Sequence, residues 1–269
     1  MTDTFGARLH EVASRLGPLC VGIDPHPSLL TSWGLADDVA GLEAFALGAV
    51  EALAGVVGVL KPQSAFFERH GSAGVAVLER TIATARDAGA LVVLDVKRGD
   101  IGSTAQAYAD AYLDPASPLR ADAVTVSPFL GYGSLAPFVD AAERHGGGVL
   151  VLALTSNPEG AEVQHARGAD GRTVAGTVAD HVRAANEGAE PLGSIGLVVG
   201  ATVGDTDEDL SVNGPILVPG LGAQGGTAVD LARIFRGVDA LVVPTTSRAV
   251  LQAGPDRTAL RDAARRALD

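Results

Sequence analysis

ALVVLDVKRGDIGSTAQAYADAYL, residues 90–113, holds the unit from which the fold can be read. An apolar, β-branched run from Ala90 to Leu94 stops abruptly at Asp95, Lys97 and Asp100, and a segment with helical spacing follows through AQAYADAYL. The run is continuous, without alternation of apolar and polar residues, as expected of a parallel strand buried on both faces. Seven further runs of the same kind occur: LCVGI (19–23), VVGVL (56–60), AVTV (123–126), VLVLAL (149–154), IGLVV (195–199), ILV (216–218) and ALVV (240–243). After each comes a turn and a candidate helix, among them LEAFALGAVEAL, VAVLERTIATARDAG, TVADHVRAANEGA, AVDLARIFRG and TALRDAARRAL. Eight such units predict an α/β fold of the (β/α)8 TIM-barrel type, a single domain over 1–269. A doubly wound open sheet is the rival reading. No linker, charge block or low-complexity tract marks a second domain, and residues 157–173 are expected to form a long loop at the working face after strand five.

The composition agrees. In 269 residues, 47% are hydrophobic, enough for a sizeable core, while 34 glycines and only 4% aromatics suit many tight strand-to-helix connections. A single cysteine, Cys20, excludes an internal disulfide or a multi-cysteine metal site and points to a reducing compartment; on a buried run it reads as a small core residue. The formal charge of −12 argues against nucleic-acid binding, though a few local cations can still hold one phosphate. The start, MTDTFGARLHEVASRLG, has no cationic segment followed by an apolar core, so no signal peptide is expected. The stretch from Ala44 to Leu60 contains Glu51 and several glycines and reads as a helix end plus a strand, not a membrane span; a cytoplasmic protein is expected. His10, His26, His70, His145, His165 and His181 show no metal-ligand spacing together.

The charges at the strand ends carry the chemistry. Asp95 and Lys97 are two residues apart, so in a strand they leave one face, roughly 6–7 Å apart. In a barrel that face is the interior, and the C-terminal ends of the strands are where catalysis sits. One such pair could be a structural ion pair. However, LCVGI is followed by Asp24 and VVGVL by Lys61, so three successive strands bring Asp, Lys, Asp and Lys to one rim, a pattern that favours a functional cluster. Lys97, flanked by carboxylates, should keep its proton and serve as a proton donor or anion stabiliser, not a Schiff-base nucleophile. Asp100 and Thr104 follow; Asp100 or Ser103 could equally cap the next helix, and Arg98 could simply be solvated.

A second site component lies towards the C-terminus. LVPGLGAQGGTAVDL (217–231) runs strand, glycine-rich loop, helix, and its glycines let backbone amides approach an anion. The eighth strand ends in TTSR, which puts Arg248 where its fork could clamp a phosphate. Loops after strands seven and eight are the usual phosphate site of this barrel. No Walker lysine-serine motif and no GxGxxG after the first strand occur, which lowers nucleoside triphosphates and NAD as ligands.

With these residues located, the chain resembles the orotidine 5'-phosphate decarboxylase family over nearly its full length. The most specific element is Asp95-x-Lys97-x-x-Asp100-Ile101-x-x-Thr104, with KRGDIGST as the version of the longer bacterial class. The resemblance implies a homodimeric barrel that converts orotidine 5'-monophosphate to uridine 5'-monophosphate and carbon dioxide without metal or organic cofactor. It implies ribose contacts for Asp24 and Lys61, a carboxylate at Asp95 beside that of the substrate, and Lys97 as the acid that protonates C6. Asp100 and Thr104 would enter the neighbouring subunit's site, and Ser156 would contact the pyrimidine. Pro219 and Gln224 would belong to a phosphate-gripping loop over 220–226, with Arg248 as the phosphate-binding arginine. Two rivals remain: a magnesium-dependent sugar-phosphate decarboxylase of the 3-keto-gulonate-phosphate type, which shares the Asp-x-Lys-x-x-Asp core, and a non-catalytic phosphate-binding barrel.

Overall fold

A computed structural model describes residues 3–222 and 225–267. Its strands are β1 (Cys20–Ile23), β2 (Val59–Pro62), β3 (Leu91–Arg98), β4 (Ala123–Val126), β5 (Gly148–Leu154), β6 (Ile195–Val199), β7 (Pro215–Pro219) and β8 (Leu241–Thr246). They pair in sequence order, all parallel, and β8 returns to β1 through Cys20–Thr245 and Val21–Thr246, closing the barrel. The longer helices are α1 (Phe5–Leu16), α2 (Val39–Leu53), α3 (Gly71–Asp87), α4 (Gly102–Leu113), α5 (Ala136–His145), α6 (Val174–Ala185), α7 (Ala228–Ile234) and α8 (Arg257–Arg266). This is the single-domain (β/α)8 barrel expected from the strand count, and the doubly wound sheet is excluded by the closure between β1 and β8.

Each strand serves two cores by parity. Cys20, Val59, Leu91, Val93, Leu150 and Val243 belong to the barrel interior. Val21, Leu60, Val92, Leu94 and Val149, one residue along, belong to the layer between strands and helices. Burial on both faces is why the runs read as continuous rather than alternating. Helix α1 plugs one end of the barrel with Phe5, Leu9 and Val12. Burying Phe5 completely stabilises the fold by about 2–3 kcal/mol. The plug requires two glycines: a Cβ on Gly148 would lie 2.2 Å from the Phe5 ring, and one on Gly58 would lie 1.9 Å from Val12. Arg8 anchors α1 through Asp122 at 2.5 Å and the Gly146 carbonyl at 2.9 Å.

Two expectations need correction. Residues 56–58 are not strand: Gly55, at φ +79°, turns the chain, and both Val56 and Val57 donate back to the Leu53 carbonyl, so β2 begins at Val59. No helix follows β6; the acidic, turn-rich stretch from 200 to 214 crosses instead, with Leu210 and Val212 buried where a helix face would pack. Strand β3 carries Asp95 and Lys97 at its end, as expected, and runs to Arg98. The segment 157–173 carries short helical turns at Pro158–Gly160 and Ala161–Gln164 and closes through an Arg167–Thr173 bridge. No helix among the described residues is long and apolar enough to cross a membrane.

Candidate active site

The inner face of the barrel ends in charge. Two residues beyond Val59 the same parity reaches Lys61, two beyond Val93 it reaches Asp95, and four beyond Cys20 it reaches Asp24. Lys61 and Asp95 are only 5% and 7% exposed. Such burial is costly for a charge unless it is paired. Lys61 Nζ donates to Asp95 Oδ2 at 2.9 Å, and Lys97 Nζ donates to Oδ1 at 2.6 Å. Burial opposes ionisation of Asp95, but Lys61 and then Lys97 outweigh it and hold the carboxyl well below the usual carboxylate range. Burial likewise opposes the charge on Lys61, yet Asp95 and Asp24 hold that ammonium above the ordinary lysine value. Oδ1 of Asp24 is buried with no hydrogen-bond partner among the described residues.

The second ammonium depends on an irregularity in the sheet. Leu94 pairs with Val124 and Arg98 with Val126, so three residues of β3 stand opposite the single residue Thr125. Lys97 lies in this bulge at φ +44°, a conformation that costs a non-glycine residue about 1–3 kcal/mol. Bulges near active sites serve to re-aim a side chain. The Thr125 hydroxyl fills the gap: it accepts from Val96 N at 3.1 Å and Lys97 N at 3.0 Å, and donates to Asp95 Oδ1 at 2.7 Å. Sequence reasoning missed Thr125: a lone hydroxyl stands out in the apolar run AVTV, but the run does not tell what that hydroxyl faces.

Asp24, Lys61, Asp95 and Lys97 line one cavity of about 400 Å³, whose remaining wall includes Pro219, Gly220 and Arg248. Arg248 opens the helical turn after β8, is exposed, and makes no ion pair among the described residues. The loop after β7 is cinched by Gly226 N donating to the Gly220 carbonyl, with Gly220 at φ +107°, a value only glycine adopts without strain. His26, Gln63 and Phe66 also face this cavity and were not anticipated. Gln224 lies outside the described residues.

Three expected residues do not line this cavity. Asp100 is half-buried and accepts from Ile101 N at 2.8 Å; Thr104 is exposed. Neither Asp100 nor Ser103 caps α4, whose N-cap is Ile101 without a side-chain bond. Ser156 is exposed in the turn after β5. Its neighbours Thr155 and Asn157 face a second, apolar-walled cavity of about 690 Å³, which Lys97 also borders. Lys97 therefore stands between the two spaces.

The model of the orotidine 5'-phosphate decarboxylase / HUMPS family matches residues 17–263. Among curated relatives, the orotidine 5'-phosphate decarboxylase of Salinispora tropica is 66% identical over 267 residues, 99% of this chain and 96% of the relative. The Streptomyces coelicolor protein of the same name is 63% identical over 265 residues, with 98% and 95% covered. Among solved structures, a Streptomyces avermitilis protein superposes with a TM-score of 0.96 at 62% identity, covering 98% and 93% of the two chains. The Leishmania donovani OMP decarboxylase gives 0.76 at 30% identity, with 98% and 97% covered.

Proposed function

The chain belongs to the orotidine 5'-phosphate decarboxylase / HUMPS family, and from that premise we propose that it converts orotidine 5'-monophosphate to uridine 5'-monophosphate and carbon dioxide, with Lys97 as the acid and no cofactor. The observation that carries the reading is the Lys61–Asp95–Lys97 array sharing one cavity with Asp24, closed on its other side by Arg248 and the Gly220 loop.

In the proposed reaction the bond between C6 and the substrate carboxylate breaks, carbon dioxide leaves, and the electron pair stays on C6. A Lys97 N–H then delivers its proton to C6, and the amine is reprotonated from solvent. The ammonium opposes the developing charge before it neutralises it, the preorganised electrostatic stabilisation on which such reactions depend. Asp95, held ionised by its two lysines, would face the substrate carboxylate, a repulsion relieved as carbon dioxide departs. Asp24 has an unpartnered oxygen suited to a ribose hydroxyl, with Lys61 beside it in the same wall. Phosphate held by Arg248 and the 220–226 loop lies across the cavity, so its binding energy can drive closure over the ring. Ser156 would contact the pyrimidine once the ligand draws its turn inward.

We extend the reading to a homodimer in which Asp100 and Thr104 enter the neighbouring cavity. Two facts support it: neither residue lines its own chain's cavity, and Ile101, Phe129 and Leu130 are 62%, 74% and 52% exposed on loops joined by the Ser127 N to Arg98 carbonyl bond. The reading carries with it a cytoplasmic site of action, supported by the single buried cysteine.

The test is the absorbance change of orotidine 5'-monophosphate with purified protein in excess chelator. Steady consumption is expected; binding of uridine 5'-monophosphate without consumption would leave only a phosphate-binding barrel, and no consumption together with magnesium-dependent decarboxylation of 3-keto-gulonate phosphate would favour the sugar-phosphate decarboxylase. Arg248→Ala should raise the Kd for uridine 5'-monophosphate about 10- to 100-fold, the loss of a charge-assisted contact. The affinity for uridine, which lacks the phosphate, should not move. Equal losses for both ligands would remove Arg248 from the phosphate site.

A further inference from the structure

We propose that Thr125 is a positioning residue for this reaction: its hydroxyl locks the Asp95 carboxylate to the bulged backbone of β3 and thereby fixes where the Lys97 ammonium stands. The inference rests on the decarboxylase reading and deepens it.

A hydroxyl offers one O–H and two lone pairs. Here both lone pairs are occupied by the N–H groups of Val96 and Lys97, at 3.1 and 3.0 Å. The hydroxyl hydrogen therefore has one place to go, Asp95 Oδ1 at 2.7 Å. That oxygen also receives Lys97 Nζ at 2.6 Å, so the clamp and the ammonium meet at a single atom. Thr125 is 1% exposed, so water does not compete for these bonds.

A threonine that merely filled a strand would need no such arrangement. Its β-branched shape suits any strand, and valine would serve as well. What valine cannot supply is a partner for the N–H groups of Val96 and Lys97, both of which the bulge between Leu94 and Arg98 turns onto the Thr125 hydroxyl. Without those bonds Lys97 has less reason to hold its left-handed backbone at φ +44°. Without the bond to Oδ1, the Asp95 carboxylate retains only its two lysines and is free to rotate about them. Both changes move the ammonium relative to the reacting carbon while leaving the phosphate wall, on β7 and β8, as it was.

Four proteins decide the matter: wild type, Thr125→Val, Thr125→Ser and Thr125→Ala, each measured for kcat with orotidine 5'-monophosphate, Kd for uridine 5'-monophosphate and Tm. Thr125→Val is expected to lose about 10- to 100-fold in kcat, the scale of a displaced reacting group, with Kd within about threefold of wild type. Thr125→Ser and Thr125→Ala both lack the γ-methyl, and only serine keeps the hydroxyl, so serine should exceed alanine in kcat about tenfold or more. If Thr125→Val fails to fold, the serine and alanine pair decides alone. Wild-type turnover with an undiminished kcat in Thr125→Val, or equal kcat for serine and alanine, overturns this proposal and spares the decarboxylase reading. Affinity for uridine 5'-monophosphate and kcat falling together, in step with Tm, would make Thr125 structural and overturn it as well. Absence of turnover in the wild type overturns the decarboxylase reading, and this inference with it.

Discussion

Lys97→Ala is expected to lower kcat for orotidine 5'-monophosphate by roughly 10⁴-fold or more, since one side chain would supply both proton delivery and charge stabilisation. The fold should survive. The Lys97 side chain is 45% exposed, and after its removal Asp95 still accepts from Lys61 and Thr125. Circular dichroism and Tm should therefore stay near wild type while turnover disappears; an active, well-folded variant would take lysine out of the mechanism. The same variant tests the shared site. If Asp100 works across a two-fold dimer, an Asp100→Asn chain paired with a Lys97→Ala chain forms one intact site and one doubly defective site. Statistical mixing of the two inactive proteins should then recover about a quarter of wild-type activity. No recovery, with mixed dimers demonstrated by mass spectrometry, would argue that Asp100 acts within its own chain or not at all.

The second large effect is on stability. Asp95→Ala removes the carboxylate from a wall where Lys61 is almost wholly buried, and an ammonium left there without its partner destabilises by about 3–5 kcal/mol. The loss should depend on pH in a defined direction. The folded-state pKa of Asp95 is depressed by Lys61 and Lys97, so its contribution is complete above the unfolded carboxyl value near 3.9 and fades as pH falls below it. The Lys61 pKa is raised, so its contribution holds below the ordinary lysine value and fades only as pH rises past it. Between about pH 5 and 9 the difference between wild type and variant should be level, and it should shrink from pH 4 downward. Urea unfolding of both proteins at pH 7 and pH 3 measures this. A difference below about 1 kcal/mol at pH 7, or one that does not shrink at pH 3, would show that the buried pair does not hold this wall together.

Much of this site could be read from the chain because parity is local. Asp24, Lys61 and Asp95 each follow an apolar run at a spacing that a strand converts into a shared inward direction, so three short segments point to one rim. Arg248 and Gly220 were legible for the same reason, through their place after the last two strands. Thr125 was not, because its importance lies in what it faces. Nothing in AVTV tells that its neighbour carries two surplus residues, and no count along one strand reveals a bulge made by the register of two. Asp100 and Thr104 sit in the motif beside Lys97 yet line a different surface, since the chain leaves the barrel at Gly99, packed against the Ser127 carbonyl, before α4 begins.

The amino-acid order alone determined the repeating strand–helix unit, the eight-strand count and the residue types arriving at the charged rim of the barrel, because burial on both faces and side-chain alternation are properties of short segments. Only the tertiary structure decided that β6 passes to β7 without a helix, that Lys97 adopts a left-handed backbone, and that Lys61, Lys97 and Thr125 converge on one carboxylate. Those features depend on register between strands far apart in the chain, where hydrogen bonds lost on one strand must be replaced by whatever side chain the closed barrel brings opposite.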